Sequence, residues 1–210
     1  MASIVSICNL ALSNIGKDTI SSLDDASAEA RYCTRFYGQA RDALLSSYPW
    51  RFAIGRQVLS EQANDRAGAW LHAFAMPADV LSVRYIEPVA STTSDFIPYI
   101  DDGISNPSYK YDYSGGVLYS NLSPLVLVYV KRVEDSGKFP PLFVDALAWH
   151  LSMRLAMPLT RDINLQRNAS GAAQQAAAVA KAADANDART TSRTGSTYED
   201  AHDELNGVFE

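Results

Sequence analysis

Cysteine is scarce in this chain, which carries Cys8 and Cys33 and no others. Two cysteines at that spacing fit neither a CxxC motif nor a zinc pattern, so no disulfide framework or structural metal organises the fold. Both fall in helix-like stretches and read as small core residues, since free cysteine is among the most buried residue types. Positive charge is short as well: 18 Lys and Arg stand against 24 Asp and Glu, for a formal net charge of -6. The excess is concentrated at the end, where Glu199, Asp200, Asp203, Glu204 and Glu210 meet no Lys or Arg after Arg193. That balance excludes a general nucleic-acid binder, which needs a basic stripe to replace phosphate counterions.

Long apolar runs are missing too, and none approaches the roughly 20 residues of a membrane span. The N-terminus has no basic leader, and its apolar residues are spaced helically, so the protein is expected to be made and kept in a reducing cytoplasm, at least until it joins something larger. HExxH, GxSxG, P-loop and GxGxxG signatures do not occur. What the sequence does have is apolar content, 47% over 210 residues, enough for a real core in a chain the size of one domain, or of one domain with a substantial insertion.

The densest helical signal lies between Phe139 and Ala188. From Pro141 to Met157 apolar residues fall on nearly every side of a helix, so this segment needs neighbours all round. Pro158 is expected to break it. From about Arg161 to Ala188 a second helix is dominated by alanine, the best intrinsic helix former with the smallest side chain. Such a rod permits close approach of another helix, and Ala172, Ala173, Ala176, Ala177 and Ala180 are the candidate inter-subunit packing residues. Upstream, Ile4, Ile7, Cys8, Ala11, Leu12 and Ile15 recur at three and four, predicting a short amphipathic helix over Ser3–Ile15 closed by Gly16. Asp24, Asp25 and Ser27 supply helix-start chemistry for a second helix that continues until Pro49, with Ala30, Cys33, Tyr37, Ala40 and Leu44 inward. Arg31, Arg35, Arg41 and Asp42 read as its solvated face.

Between these helical pairs the period changes to two. Phe52, Ile54 and Val58 predict a strand, Ser60 to Gly68 a polar connection, and Trp70, His72, Phe74 and Met76 one face of the next strand. Leu81, Val83 and Tyr85 follow, stopped by Pro88. Further strands are expected at Phe96–Ile100, Tyr109–Tyr113, Val117–Ser120 and Leu125–Arg132, with Gly115-Gly116 as a hairpin turn and the last strand central in its sheet. The tyrosines here, Tyr99, Tyr109, Tyr111, Tyr113, Tyr119 and Tyr129, have only Lys110, Lys131 and Arg132 among them, so they read as cross-strand packing in preference to a base-stacking row. The fold expected is therefore α+β: a bundle of about four helices (1–50 and 134–188), an inserted antiparallel β-rich domain (51–133) and an extended C-terminal arm (189–210).

Chemistry finds little purchase. His72 lies among strand aromatics, His150 in an apolar helix and His202 in the tail, and none has a ligand-spaced partner. Glu61, Asp65, Asp79, Asp101 and Asp102 offer carboxylates, but a glycosidase pair is defined by a separation that sequence does not give, and Asp101-Asp102-Gly103 is most simply a turn. No catalytic residue, metal or cofactor is expected. The tail, with isolated apolar Tyr198, Leu205, Val208 and Phe209, lacks the apolar surface to order alone and is expected to order against a partner.

Several phrases in order carry a resemblance: ICNLALSNIG, a DDASAEA helix start, YGQARDALLSSYPWRFA, AWLHAFAMPADVLSV, and DSGKFPPLFVDALAWHLSMRLAMPLT with an alanine-rich helix behind it. Together, from Ile7 to about Asp187, they resemble the phage tail tubular protein A-like head-to-tail adaptors. That resemblance implies a non-enzymatic virion protein, assembled in the host cytoplasm, which forms a ring of twelve copies between the portal protein and the tail tube or nozzle protein. Double-stranded DNA then passes through the channel without sequence-specific binding, and no membrane is involved. It also implies that the helices form the ring, the β region faces the tail, and the arm docks on the portal through Tyr198, Leu205, Val208 and Phe209. A virion-associated peptidoglycan hydrolase and a neck or head-completion protein of different ring number remain open beside it.

Overall fold

A computed structural model describes residues 2–89 and 109–190, with side chains described up to 187. It is an α+β protein in which two antiparallel sheets are inserted between two pairs of helices.

The first pair is α1 (Ile4–Ser13) and α2 (Ala28–Ser46). Ser3 and Ser6 satisfy each other's backbone N–H groups in a capping box, and α1 ends at Asn14, with Gly16 left-handed at φ 67° just beyond. The Ser27 hydroxyl accepts from the Ala30 N–H at 3.1 Å and starts α2, whose expected inward residues Ala30, Cys33, Tyr37, Ala40 and Leu44 are all buried. The second pair is α3 (Pro141–Thr160) and α4 (Ile163–Thr190). Pro158 does not break α3. It sits in the last turn, where a missing N–H forfeits a single helical bond, and the chain turns instead at Arg161, left-handed at φ 55°, whose N–H donates to the Met157 carbonyl at 3.0 Å. Asp162 then caps α4, accepting from the Asn164 N–H at 2.8 Å.

Helix α3 touches α1, α2 and α4, which is why its apolar residues are spread around its circumference. Its one fully buried hydroxyl, Ser152, is satisfied by the Ala148 and Ala11 carbonyls at 2.7 and 3.0 Å and by the Asn14 amide at 3.2 Å.

The inserted part has seven described strands: β1 (Ile54–Val58), β2 (Glu61–Gln62), β3 (His72–Ala75), β4 (Val80–Pro88), β5 (Tyr111–Ser114), β6 (Val117–Ser120) and β7 (Leu125–Lys131). They form two antiparallel sheets, ordered β1-β7-β4 and β2-β3-β6-β5. The most apolar strand, β7, is central as expected. Gly115 and Gly116, at φ 61° and 82°, make the β5–β6 hairpin turn, which needs positive φ at both positions. The expected strand of Leu81, Val83 and Tyr85 is β4, which runs to Pro88; those three side chains are half-buried, Ile86 is fully buried, and two register shifts interrupt the pairing with β7. Phe52 is not in a strand either: Arg51–Ala53 is a turn of 3-10 helix. The expected strand Phe96–Ile100, with Tyr99, and the Asp101-Asp102-Gly103 turn lie outside the described residues.

Buried apolar residues divide between a helical cluster and a second one between the sheets, built from Leu59, Phe74, Ile86, Leu118, Leu125, Leu127 and Tyr129. Where the chain passes from helices to sheets and back, Trp50, Phe52, Phe139 and Phe143 interlock, with ring centroids 4.9 to 6.4 Å apart. The Trp50 indole also donates to the Leu44 carbonyl at 2.9 Å, tying the end of α2 into this joint.

Candidate functional site

Helix α4 carries the residues that the sequence offered as an assembly surface. Its Ala169, Ala173, Ala177 and Ala180 recur every three or four residues and are 1 to 8% exposed, with Ala172 and Ala176 half-buried along the same side. This side is seated on α3 of the same chain, and Ala177 and Ala180 belong to the helical core. Expectation and structure therefore part here: Ala173, Ala177 and Ala180 are not inter-subunit packing residues, because their surface is already covered. Alanine serves here by letting two helices of one chain approach closely.

The opposite side of α4 is open. Gly171, Gln174, Gln175, Ala178, Val179 and Ala182 are exposed, Val179 at 51%. Near its C-terminal end α4 is pinned to the helix-sheet joint: the Asp184 carboxylate accepts from the Arg51 N–H at 3.3 Å, and Lys181 Nζ donates to the Ser47 carbonyl at 3.4 Å. Desolvation raises the Asp184 carboxyl above its ordinary range, against the Arg51 N–H that lowers it. The chain thus leaves α4 at the end of the bundle from which the sheets project. Tyr198, Leu205, Val208, Phe209 and His202 lie outside the described residues.

On the β side, the connection between β2 and β3 is fastened over the sheet by polar side chains. Asp65 accepts from the Tyr119 hydroxyl at 2.7 Å, and Arg66 pairs with Asp112 at 2.7 Å while its guanidinium lies 4.6 Å from the Tyr119 ring centre. Asn64 donates to the Trp70 carbonyl at 2.7 Å and closes the loop on itself. This clasp holds Leu71 at the loop's end, 69% exposed. Tyr129 repeats the device on the other sheet, donating to Asp79 at 3.1 Å; its ring lies over Gly55, where an added Cβ would come within 2.8 Å of it. Burial and the Asp79 bond raise the Tyr129 phenol, and the Asp65 bond raises Tyr119.

Arg41 and Asp42 depart from the solvated face expected of them. The Arg41 side chain is only 11% exposed; it bonds Asp42 at 2.8 Å, and Asp42 in turn bonds Arg132 at 3.0 Å. The cause is the return of the chain from β7, which lays Arg132 against α2, a contact at long sequence distance that helical periodicity does not encode. Beside it an open cleft of about 500 Å³ is lined by Asp79, Lys131, Arg132, Glu134, Asp135 and Lys138. Side chains of both charge signs line it.

The candidate chemical groups sit in small local partnerships, one of which joins Glu61 to His72. Glu61 accepts from the Ser123 hydroxyl and lies 3.1 Å from His72 Nδ1; the Ser123 bond first, and His72 after it, lower its carboxyl below the ordinary range. Asp65 and Asp79 are each engaged by a tyrosine. His150 is half-buried on α3, and desolvation, followed by the nearby Arg154 and Lys181 charges, lowers its pKa. Among the described residues no group of three His, Cys, Asp or Glu is placed to hold a metal, and no described helix is long and apolar enough to cross a membrane. Comparison with protein-family models and with curated proteins returned no match to this chain.

Proposed function

We propose that this protein is a structural head-to-tail adaptor of a tailed-phage virion, a subunit of a ring that sits under the portal, joins capsid to tail and leaves a channel for DNA. The observation that carries the reading is its division of labour: a helical bundle whose last helix keeps one long face uncovered, and a β unit joined to one end of that bundle through interlocked aromatic rings. A subunit that transmits force between two partners needs two separate surfaces held at a fixed angle. The resemblance of the phrases from Ile7 to Asp187 supports the same reading.

In this reading the open face of α4, with Gly171, Ala178, Val179 and Ala182, takes the inter-subunit role first assigned to its buried side. Heterologous contacts that close by rotation make the ring, and small residues let neighbouring backbones approach. The loop that presents Leu71 faces the tail components. The residues after Thr190, 210 − 190 = 20 of them, dock on the portal through Tyr198, Leu205, Val208 and Phe209.

The test is co-sedimentation of the full-length protein with the portal protein of the same genome. Co-migration at a fixed ratio is expected, and loss of co-migration when residues 191–210 are deleted. Zymography on peptidoglycan separates the enzymatic rival: cell-wall cleavage abolished by Glu61→Gln or Asp65→Asn overturns the structural reading.

A further inference from the structure

Helix α3 has neighbours on three sides, α1, α2 and α4. Its fourth side carries Leu142, Asp145, Trp149, Met153 and Met157, which recur every three or four residues and so form one stripe along the helix. Leu142 and Met157 are 43 and 42% exposed, and Trp149 and Met153 are half-buried. The solvated stripe of a bundle helix is ordinarily charged. This one has a single charge, Asp145, and among the described residues no cation pairs with it. An exposed row of Trp, Met and Leu marks an interaction surface, and those residue types are the ones enriched where proteins meet.

We propose that this stripe is covered by the outer face of α2 of a second copy, the two chains meeting head to tail. That face carries Arg31, Tyr32, Arg35 and Phe36. Tyr32 and Phe36 are half-buried and stacked, with ring centroids 6.1 Å apart, and the Arg35 guanidinium lies 5.9 Å from the Phe36 ring centre. Arg31 and Arg35 are exposed and one turn apart, a like-charged pair that weakens a helix on its own. No carboxylate of the described residues pairs with either.

The two faces point in opposite directions. Leu151 and Leu155 follow Trp149 and Met153 by two residues, which places them on the other side of α3. Both are fully buried in the core that also takes Ala30, Cys33, Tyr37 and Leu44, the inward row of α2. The stripe on α3 and the outer face of α2 therefore look away from that shared core on opposite sides of the bundle. Unlike surfaces so placed are what a heterologous contact uses, and repeating it closes a ring or extends a filament.

Charge selects the occupant. Against α2 of the next copy, Asp145 gains the two arginines that lack a carboxylate. The other apolar candidate is the chain's own C-terminal segment, with Leu205, Val208 and Phe209, but it would bring Glu199, Asp200, Asp203 and Glu204 to a stripe whose one charge is already negative. The inference rests on the ring reading for what the contact builds, and it adds these two faces to the open face of α4.

The experiment places a photo-cross-linker in the full-length protein, Trp149→p-benzoylphenylalanine, and irradiates it at micromolar concentration, alone and with the portal protein of the same genome. The expected product is a covalent dimer in which position 149 is joined to the tryptic peptide 32–35 or 36–41 of the other chain. Arg35→Glu should cut the dimer yield at least about tenfold by setting like charges against Asp145, and adding Asp145→Arg should restore it. Leu142→p-benzoylphenylalanine, at a more exposed position of the same stripe, gives the same readout if the first variant fails to fold. A cross-link to residues 191–210, to α3 of the other copy or to the portal in place of α2, a yield unchanged by Arg35→Glu, or no dimer in either condition overturns the proposal. A ring on the portal without the α2 cross-link removes this contact and leaves the adaptor reading standing; the α2 cross-link without portal binding does the reverse.

Discussion

The helical and β halves of this molecule hold together by different means. The bundle is closed by close approach of small surfaces: α4 lays Ala169, Ala173, Ala177 and Ala180 on α3, and few polar groups take part. The β unit is closed by large side chains and then tied by polar clasps, Tyr119 to Asp65, Arg66 to Asp112 and Tyr129 to Asp79. Small-residue packing tolerates no added volume, whereas a hydrogen-bonded clasp loses about 1 kcal/mol when one bond is removed. The joint of Trp50, Phe52, Phe139 and Phe143 belongs to both halves and should be the least tolerant place of all.

Phe143→Ala should accordingly have the largest effect, about 3–5 kcal/mol of lost stability by denaturant unfolding, since it removes a ring with contacts to three other aromatic residues. Next is Ala177→Leu, expected to cost about 1–3 kcal/mol because the added methylenes have only α3 to displace, while Ala178→Leu, one residue along on the open face, should stay within about 0.5 kcal/mol. Equal losses from the two would contradict the assignment of faces. Gly55→Ala should cost a similar ~1–3 kcal/mol by driving the Tyr129 ring from its place, with near-ultraviolet circular dichroism reporting the change. Tyr119→Phe should lose only ~1 kcal/mol and should raise amide exchange in the 63–71 loop.

The smallest effect is in pH. His150 binds a proton less readily in the folded chain than its ordinary 6.5 implies, because burial disfavours the cation. Its contribution is therefore complete above that value and declines as pH falls through and below it, where the unfolded chain takes up more protons. Melting temperatures between pH 7.5 and 5.5 should fall more for the wild type than for His150→Gln.

Much of the fold was legible from local pattern. The inward row of α2, the all-round burial of α3, the Gly115-Gly116 hairpin and the central place of β7 each follow from residues near in sequence. What sequence did not carry were consequences of contacts made far along the chain. Pro158 read as a break, but a proline in a last turn sacrifices one bond, and the actual stop is Arg161, whose left-handed cap no residue type announces. Arg41 read as solvated until Arg132 returned beside Asp42. The alanine stripe read as an assembly surface because alanine marks close approach without saying to whom, and the nearest candidate, α3 of the same chain, had already taken it.

Negative-stain images of the full-length protein with the portal protein of the same genome, at micromolar concentration, test the central claim most directly. The expected result is a closed ring of added density on the portal, coaxial with its channel. Portal particles with no added density at that concentration would contradict it.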